Sequence, residues 1–227
     1  MRRIKLLLCT AMAFFTLSLS AQDWANLNRF KDLNEKVLLE KNRGDRIVFM
    51  GNSITEIWLK QSPDFFNTHL NFINRGISGQ TTPQMVLRFR QDVIDLKPRA
   101  VVILAGTNDI AGNTGPSTQK MITDNIETMC ELAVANQIEV ILCSILPAKE
   151  YPWKKEIRPA ESIVAINQWI ESYAKKRGFI YVDYHTPMAT EELGLIEKYT
   201  YDGVHPTAEG YAVMEPLILD AINKLKN

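Results

Sequence analysis

The chain has little of several things, and each shortage excludes a class of protein. It carries three cysteines and three histidines in 227 residues. That is too few for a disulfide framework, and one cysteine, Cys9, lies in the apolar N-terminal stretch. No charge sign is in excess, with 26 basic against 26 acidic residues. The basic surface that nucleic acid requires is therefore missing. Residues 23–227 hold no repeat, low-complexity tract or linker, and no apolar run long enough to span a bilayer. Hydrophobic residues at 46% and charged residues at 23% exclude a disordered chain, a collagen and a coiled coil. A chain of this length buries a sizeable core without a metal or a disulfide as staple.

The first residues are of another kind. Arg2, Arg3 and Lys5 precede an apolar run from Leu6 to Leu19, and Ser18-Leu19-Ser20-Ala21 then meets Gln22 and Asp23. This is the layout of a secretory signal peptide over residues 1–21, with cleavage after Ala21. No small residue precedes Cys9, which argues against lipid modification, and Arg2-Arg3 lacks the rest of a twin-arginine signal. Export to the periplasm or beyond the cell follows. Without Arg2, Arg3 and Lys5 the chain has 23 basic and 26 acidic residues, a net charge of −3. Residues 22–227 read as one domain, with Cys130 and Cys143 as buried free thiols. Oligomeric state is not legible.

Four short apolar runs predict strands buried on both faces: Ile47–Met50, Val101–Ala105, Val140–Leu146 and Phe179–Val182. A weaker fifth is Phe72–Asn74. Helical spacing fills the gaps. A helix is expected over Trp24–Lys41, another opens at Pro83 and ends by Lys97-Pro98, and a third is capped by Ser117. A fourth carries Ile163, Ile166, Ile170 and Tyr173. The last is capped by Thr207, and Pro216 should kink it. Strand and helix alternate, so the class is α/β with a mainly parallel sheet.

In such a sheet ligands bind beyond the C-terminal strand ends. Four polar turns fall there: Gly51-Asn52-Ser53-Ile54-Thr55, Arg75-Gly76-Ile77-Ser78-Gly79-Gln80, Gly106-Thr107-Asn108-Asp109 and Asp202-Gly203-Val204-His205-Pro206. A serine between a strand end and a helix start exposes its hydroxyl, and histidine is the usual base for it. His69 lies in an apolar, helical stretch and reads as structural. His185 follows a strand and is a second candidate. His205 has Asp202 three residues before it, which can hold the ring tautomer. The Ser53 N–H, the Gly79 N–H and the Asn108 side chain can serve an oxyanion. Taken alone, Gly-Asn-Ser is an ordinary turn and Asp-x-x-His a surface pair. In order, each behind a strand, the signals become specific.

From about Arg46 to Pro216 these residues resemble the SGNH, or GDSL-type, hydrolase superfamily. Gly51-Asn52-Ser53-Ile54 resembles its nucleophile block, Gly79 its oxyanion glycine, Gly106-Thr107-Asn108-Asp109 its Gly-x-Asn-Asp block and Asp202-Gly203-Val204-His205 its Asp-x-x-His block. Asn52 stands where many members have Asp. The resemblance implies a flavodoxin-like three-layer α/β/α sandwich with a five-stranded parallel sheet in the order 2-1-3-4-5. It also implies ester hydrolysis by Ser53, His205 and Asp202 without metal or cofactor. The wording is nearest the platelet-activating-factor acetylhydrolase-like and carbohydrate O-acetylesterase-like branch.

The substrate is less legible. Export and a compact domain fit an esterase removing short acyl groups, acetyl above all, from carbohydrates, with a small acyl ester or an acetylated glycan as partner. Trp58, Tyr151, Trp153 and Tyr201 are candidate substrate contacts, whereas Trp169 reads as core. A lipid or thioester acylhydrolase would use the same residues. A glycan-binding protein without catalysis would need none of the Ser, His and Asp set. A flavodoxin-type cofactor protein would need a phosphate-cradling glycine loop after the first strand, and none is there.

Overall fold

The computed structural model describes residues 23–40 and 45–225, so the expected signal peptide lies outside the described residues. Five parallel strands form one sheet in the order β2-β1-β3-β4-β5. They are β1 (Ile47–Gly51), β2 (Phe72–Gly76), β3 (Ala100–Leu104), β4 (Glu139–Cys143) and β5 (Ile180–Val182). Helices cover both faces. On one lie α4 (Thr82–Asp92), α6 (Gln119–Ala135) and α7 (Ala160–Arg177); on the other lie α2 (Ser53–Gln61), α3 (Pro63–Thr68) and α9 (Ala208–Asn223). The expected α/β/α sandwich and strand order are those observed.

The continuous apolar runs have a direct cause. Val48 and Met50 pack towards Phe89, Ile126 and Ile166, while Ile47 and Phe49 pack towards Trp58, Phe66 and Met214. Successive residues of one strand thus feed two cores, and neither face tolerates polar side chains. The strands end level. Gly51 pairs with Gly76 on one side and Leu104 on the other, so the turns after β1, β2 and β3 emerge together at one edge.

Several boundaries differ from expectation. The first helix, α1, covers Lys31–Leu39 rather than starting at Trp24. Asn26 has φ 54°, and the Asp23 carboxylate accepts from Leu27 N and Asn28 N, which winds this stretch into a turn instead. Thr118, not Ser117, caps α6 through its hydroxyl. β4 ends at Cys143; Ser144 N still donates to Val182 O, and the chain leaves the ladder at Ile145. Ile145 N and O both bond to the side-chain amide of Asn167, at 2.7 and 2.9 Å. Helix α9 is continuous from Ala208 to Asn223 across Pro216. Pro216 and Ala212 are both exposed, so water can satisfy the carbonyl that Pro216 cannot serve. Cys130 and Cys143 are buried and unpaired, and burial pushes both thiols up to about 12. Among the described residues no helix is long and apolar enough to cross a membrane.

Candidate active site

The first turn of the site is built on a helix cap. Asn52 is the N-cap of α2, and its side-chain oxygen accepts from Ile54 N at 3.0 Å. An amide oxygen caps as well as a carboxylate does and brings no charge. Ser53 is then the first helical residue, with its hydroxyl at the sheet edge. Close packing holds this turn against β2: a Cβ on Gly76 would lie 2.2 Å from Glu56 N.

His205 reaches Ser53 from the long connection between α8 (His185–Met188) and α9. Its Nε2 is 2.9 Å from Ser53 Oγ, and its Nδ1 is 2.7 Å from Asp202 Oδ2. An ionised carboxylate only accepts, so Nδ1 carries the proton and the Nε2 lone pair faces the serine hydroxyl. The other Asp202 oxygen accepts from Val204 N and His205 N, at 2.9 and 2.7 Å. Burial opposes the Asp202 carboxylate, but the His205 and Val204 hydrogen bonds outweigh it and hold the group below its ordinary value. Thr200 Oγ1 closes the turn by donating to His205 O at 2.8 Å.

Gly79 and Asn108 approach from the turns after β2 and β3. Gly79 has φ 78°, a left-handed conformation that a side chain would strain. The Asn108 side-chain nitrogen donates to Gln80 O at 3.0 Å, and its second hydrogen remains available. A short helix, α5 (Thr107–Ile110), carries Asn108 and Asp109. Both Asp109 oxygens accept from Thr82 N at 3.0 Å, and one accepts from Thr82 Oγ1 at 2.6 Å. Burial pushes the Asp109 carboxyl up to about 6, against the Thr82 hydrogen bonds that lower it. A cavity of about 400 Å³ is lined by Ser53, Ile57, Ser78, Gly79, Asn108, Asn113, Trp153 and His205. The four turns that each looked ordinary alone therefore share one cavity. Among the described residues, no group of three or more His, Cys, Asp and Glu is placed to hold a metal ion.

A family model, the GDSL-like Lipase/Acylhydrolase family, matches residues 49–213. The chain belongs to this family. A GDSL-like lipase from Bacteroides thetaiotaomicron is 50% identical, with a TM-score of 0.85 over 88% of this chain and 98% of that one. An acetylxylan esterase from Geobacillus stearothermophilus shares the fold at 17% identity, with a TM-score of 0.64 over 79% of this chain and 94% of that one. The lipoprotein YqeF of Bacillus subtilis is 37% identical over 86 residues, which are 36% of this chain and 35% of that protein. The match to this curated relative thus spans about a third of its length.

Within this GDSL-like site the four aromatic candidates separate. Trp153 is 41% exposed, and its ring centroid lies 5.9 Å from that of His205. Tyr201 is 55% exposed and stacks on His205 at 5.8 Å. Trp58 does not reach the cavity. It is buried, stacked on Phe65 and Tyr211, with its indole N–H on Glu215. Five residues of helix turn Trp58 about 140° from Ser53, onto the core face. Tyr151 is also buried. It stacks behind Trp153 at 5.2 Å and bonds Thr107 Oγ1 through its hydroxyl. It supports the wall and does not form it.

The other two histidines lie elsewhere. His69 follows α3, with Nδ1 on Phe65 O at 2.7 Å and its ring stacked on Phe72. His185 opens α8, where its backbone N–H donates to Ser144 Oγ, and it is absent from the cavity lining. The sequence reading passed over Ile57, Ser78 and Asn113. Helical spacing holds the signal for the first, because Ile57 lies one turn after Ser53 on the same face. Glu56, also on α2, accepts from Ser78 N and Ser78 Oγ. Asn113 ties the wall to the Gly79 turn: it accepts from Trp153 Nε1 at 3.2 Å and donates to Gly79 O at 3.3 Å. No local pattern announces that pair.

Proposed function

We propose that the chain is an exported serine esterase that removes short acyl groups, acetyl above all, from carbohydrate esters. The observation that carries this reading is the unbroken hydrogen-bond chain from Asp202 through His205 to Ser53. His205 takes the Ser53 proton as Oγ attacks the ester carbonyl, and Asp202 stabilises the resulting imidazolium. The oxyanion is received by the Ser53 and Gly79 N–H groups and by the free hydrogen of the Asn108 amide. Each such donor contributes roughly 3 kcal/mol to the transition state. His205 then protonates the leaving alcohol, and water resolves the acyl-enzyme.

Three features support a short acyl group and a sugar alcohol. The cavity holds about 400 Å³ for both halves of the ester, and among its lining residues Ile57 and Trp153 carry the large apolar side chains, whereas a long acyl chain requires an extended apolar channel. Trp153 and Tyr201 stand against His205, the group that protonates the alcohol, and aromatic faces suit sugar rings. The reading of residues 1–21 as a signal peptide favours substrates outside the cytoplasm. The acetylxylan esterase that shares the fold is consistent with such chemistry.

The test is kcat/KM on aryl esters of increasing acyl length, for the wild type and Ser53→Ala. The expected result is a steep fall beyond acetyl and no turnover in the variant. Activity that rises with chain length makes the protein a lipid or thioester acylhydrolase. Absence of Ser53-dependent turnover on any ester leaves a glycan-binding role.

A further inference from the structure

Helix α4 carries a guanidinium that faces no solvent and no substrate. Arg88 and Asp92 are both fully buried and form an ion pair at 3.1 Å. All three guanidinium nitrogens are engaged. Nε donates to Gln80 Oε1 at 2.6 Å, one terminal nitrogen to Asp92, and the other to Gly51 O at 3.0 Å. Gly51 immediately precedes the Asn52-Ser53 turn. Gln80 follows Gly79, and its backbone oxygen receives Asn108. One planar fork therefore spans the turns after β1 and β2, and Asn108 joins the turn after β3 to the same residue.

A buried ion pair adds little net stability over apolar side chains of the same volume, so stability alone does not account for this one. A rigid fork does something a point charge cannot, which is to fix the distance between two acceptors. We propose that Arg88 is a positioning residue that sets the spacing of the Ser53, Gly79 and Asn108 donors around the oxyanion. This rests on the catalytic reading given above. Asp202 and His205 lie outside its reach, because their turn is closed by its own hydrogen bonds.

The decisive variant is Arg88→Lys, which keeps the charge beside Asp92 and loses the fork. Turnover should be counted per Ser53 titrated with a reactive phosphonate, so that misfolded protein does not enter. A misplacement of about 1 Å costs up to about a hundredfold in rate. The expected result is a kcat lowered about 10- to 100-fold, with KM and the pH profile of kcat/KM unchanged. In an Asn108→Ala background the same substitution should lose part of its effect, because one of the three donors it positions is gone. Equal losses in both backgrounds, or a shifted pH profile, mean a general structural role and overturn the proposal. If Arg88→Lys does not fold, Gln80→Leu removes one arm of the fork and is held to the same two criteria. Turnover surviving in Ser53→Ala overturns the catalytic reading and this inference with it. Turnover lost in Ser53→Ala but unchanged in Arg88→Lys overturns this inference alone.

Discussion

Two carboxylates belong to the turns around Ser53, and burial raises one while hydrogen bonds lower the other. Asp202 is partly exposed, receives two backbone N–H groups and the His205 ring, and is held below its ordinary value. Asp109 is buried under the turn after β3, and its carboxyl is pushed up to about 6. Their neighbourhoods differ in the same way. Asp202 and His205 belong to one four-residue turn that satisfies itself. The Gly79 and Asn108 side is laced across the sequence by Gln80, Thr82, Arg88, Asp92 and Asn34. A base must take up and release a proton, which a local, partly solvated turn permits. Donors for a developing charge must be fixed before the reaction, and only a buried, cross-linked frame does that without reorganising.

The largest blow to this contrast falls on the exposed half. Asp202→Asn keeps the shape of the turn but allows the amide to donate towards His205, which reverses the ring tautomer. The expected loss in kcat is about a thousand- to ten-thousand-fold, with the thermal midpoint little changed. A loss under about tenfold would deny Asp202 its role. Asn108→Ala strikes the buried half. It should cost kcat about a hundred- to a thousandfold, leaving KM within about threefold. A rise in KM at constant kcat would mean that Asn108 binds the ground state and not the oxyanion.

The same contrast decides what was legible in the sequence. Asp202 and His205 lie three residues apart just before the last helix, and Ser53 lies two residues past a strand, so spacing alone brings them to notice. The strands were legible because both their faces are buried. Arg88 was not: Asp92 lies one helical turn away, but the partners at 51 and 80 meet the fork only once the sheet has assembled. Trp58 and Tyr151 misled for a related reason. Closeness to a motif along the chain says nothing of facing, and helical rotation sends Trp58 into the core while Tyr151 backs Trp153. The start of α1 was misjudged because Asp23 satisfies the N–H groups of a turn and not those of a helix.

Asp109 sharpens the contrast in stability. A carboxyl raised in the fold from 3.8 to about 6 binds its proton more tightly folded than unfolded. The stability it contributes is present below pH 3.8 and is lost as pH rises through about 6, roughly 3 kcal/mol in all. Asp202 has the opposite sign: its contribution is present at neutral pH and is lost on acidification. Urea melts of wild type and Asp109→Asn between pH 4 and pH 7.5 should show the wild type losing ground to the variant as pH rises. A difference independent of pH would place the proton elsewhere.

The smallest expected effect concerns the two aromatic rings beside His205. Trp153 does two things there: its face stands against His205, and its N–H holds Asn113, which in turn holds Gly79 O. Trp153→Phe keeps a face and loses the N–H, so its effect belongs to the oxyanion half and should appear in kcat. Trp153→Ala loses the face as well, and should further raise KM about 5- to 10-fold for sugar esters, in line with an aromatic contact of about 1 kcal/mol. Tyr201→Ala removes a face with no side-chain hydrogen bond to the frame, and should raise KM alone. If Tyr201→Ala lowers kcat and leaves KM unchanged, the ring steadies His205 instead of meeting the alcohol. The division between a fixed oxyanion frame and an adaptable base would then have to move, with Tyr201 counted as part of the machinery of the base.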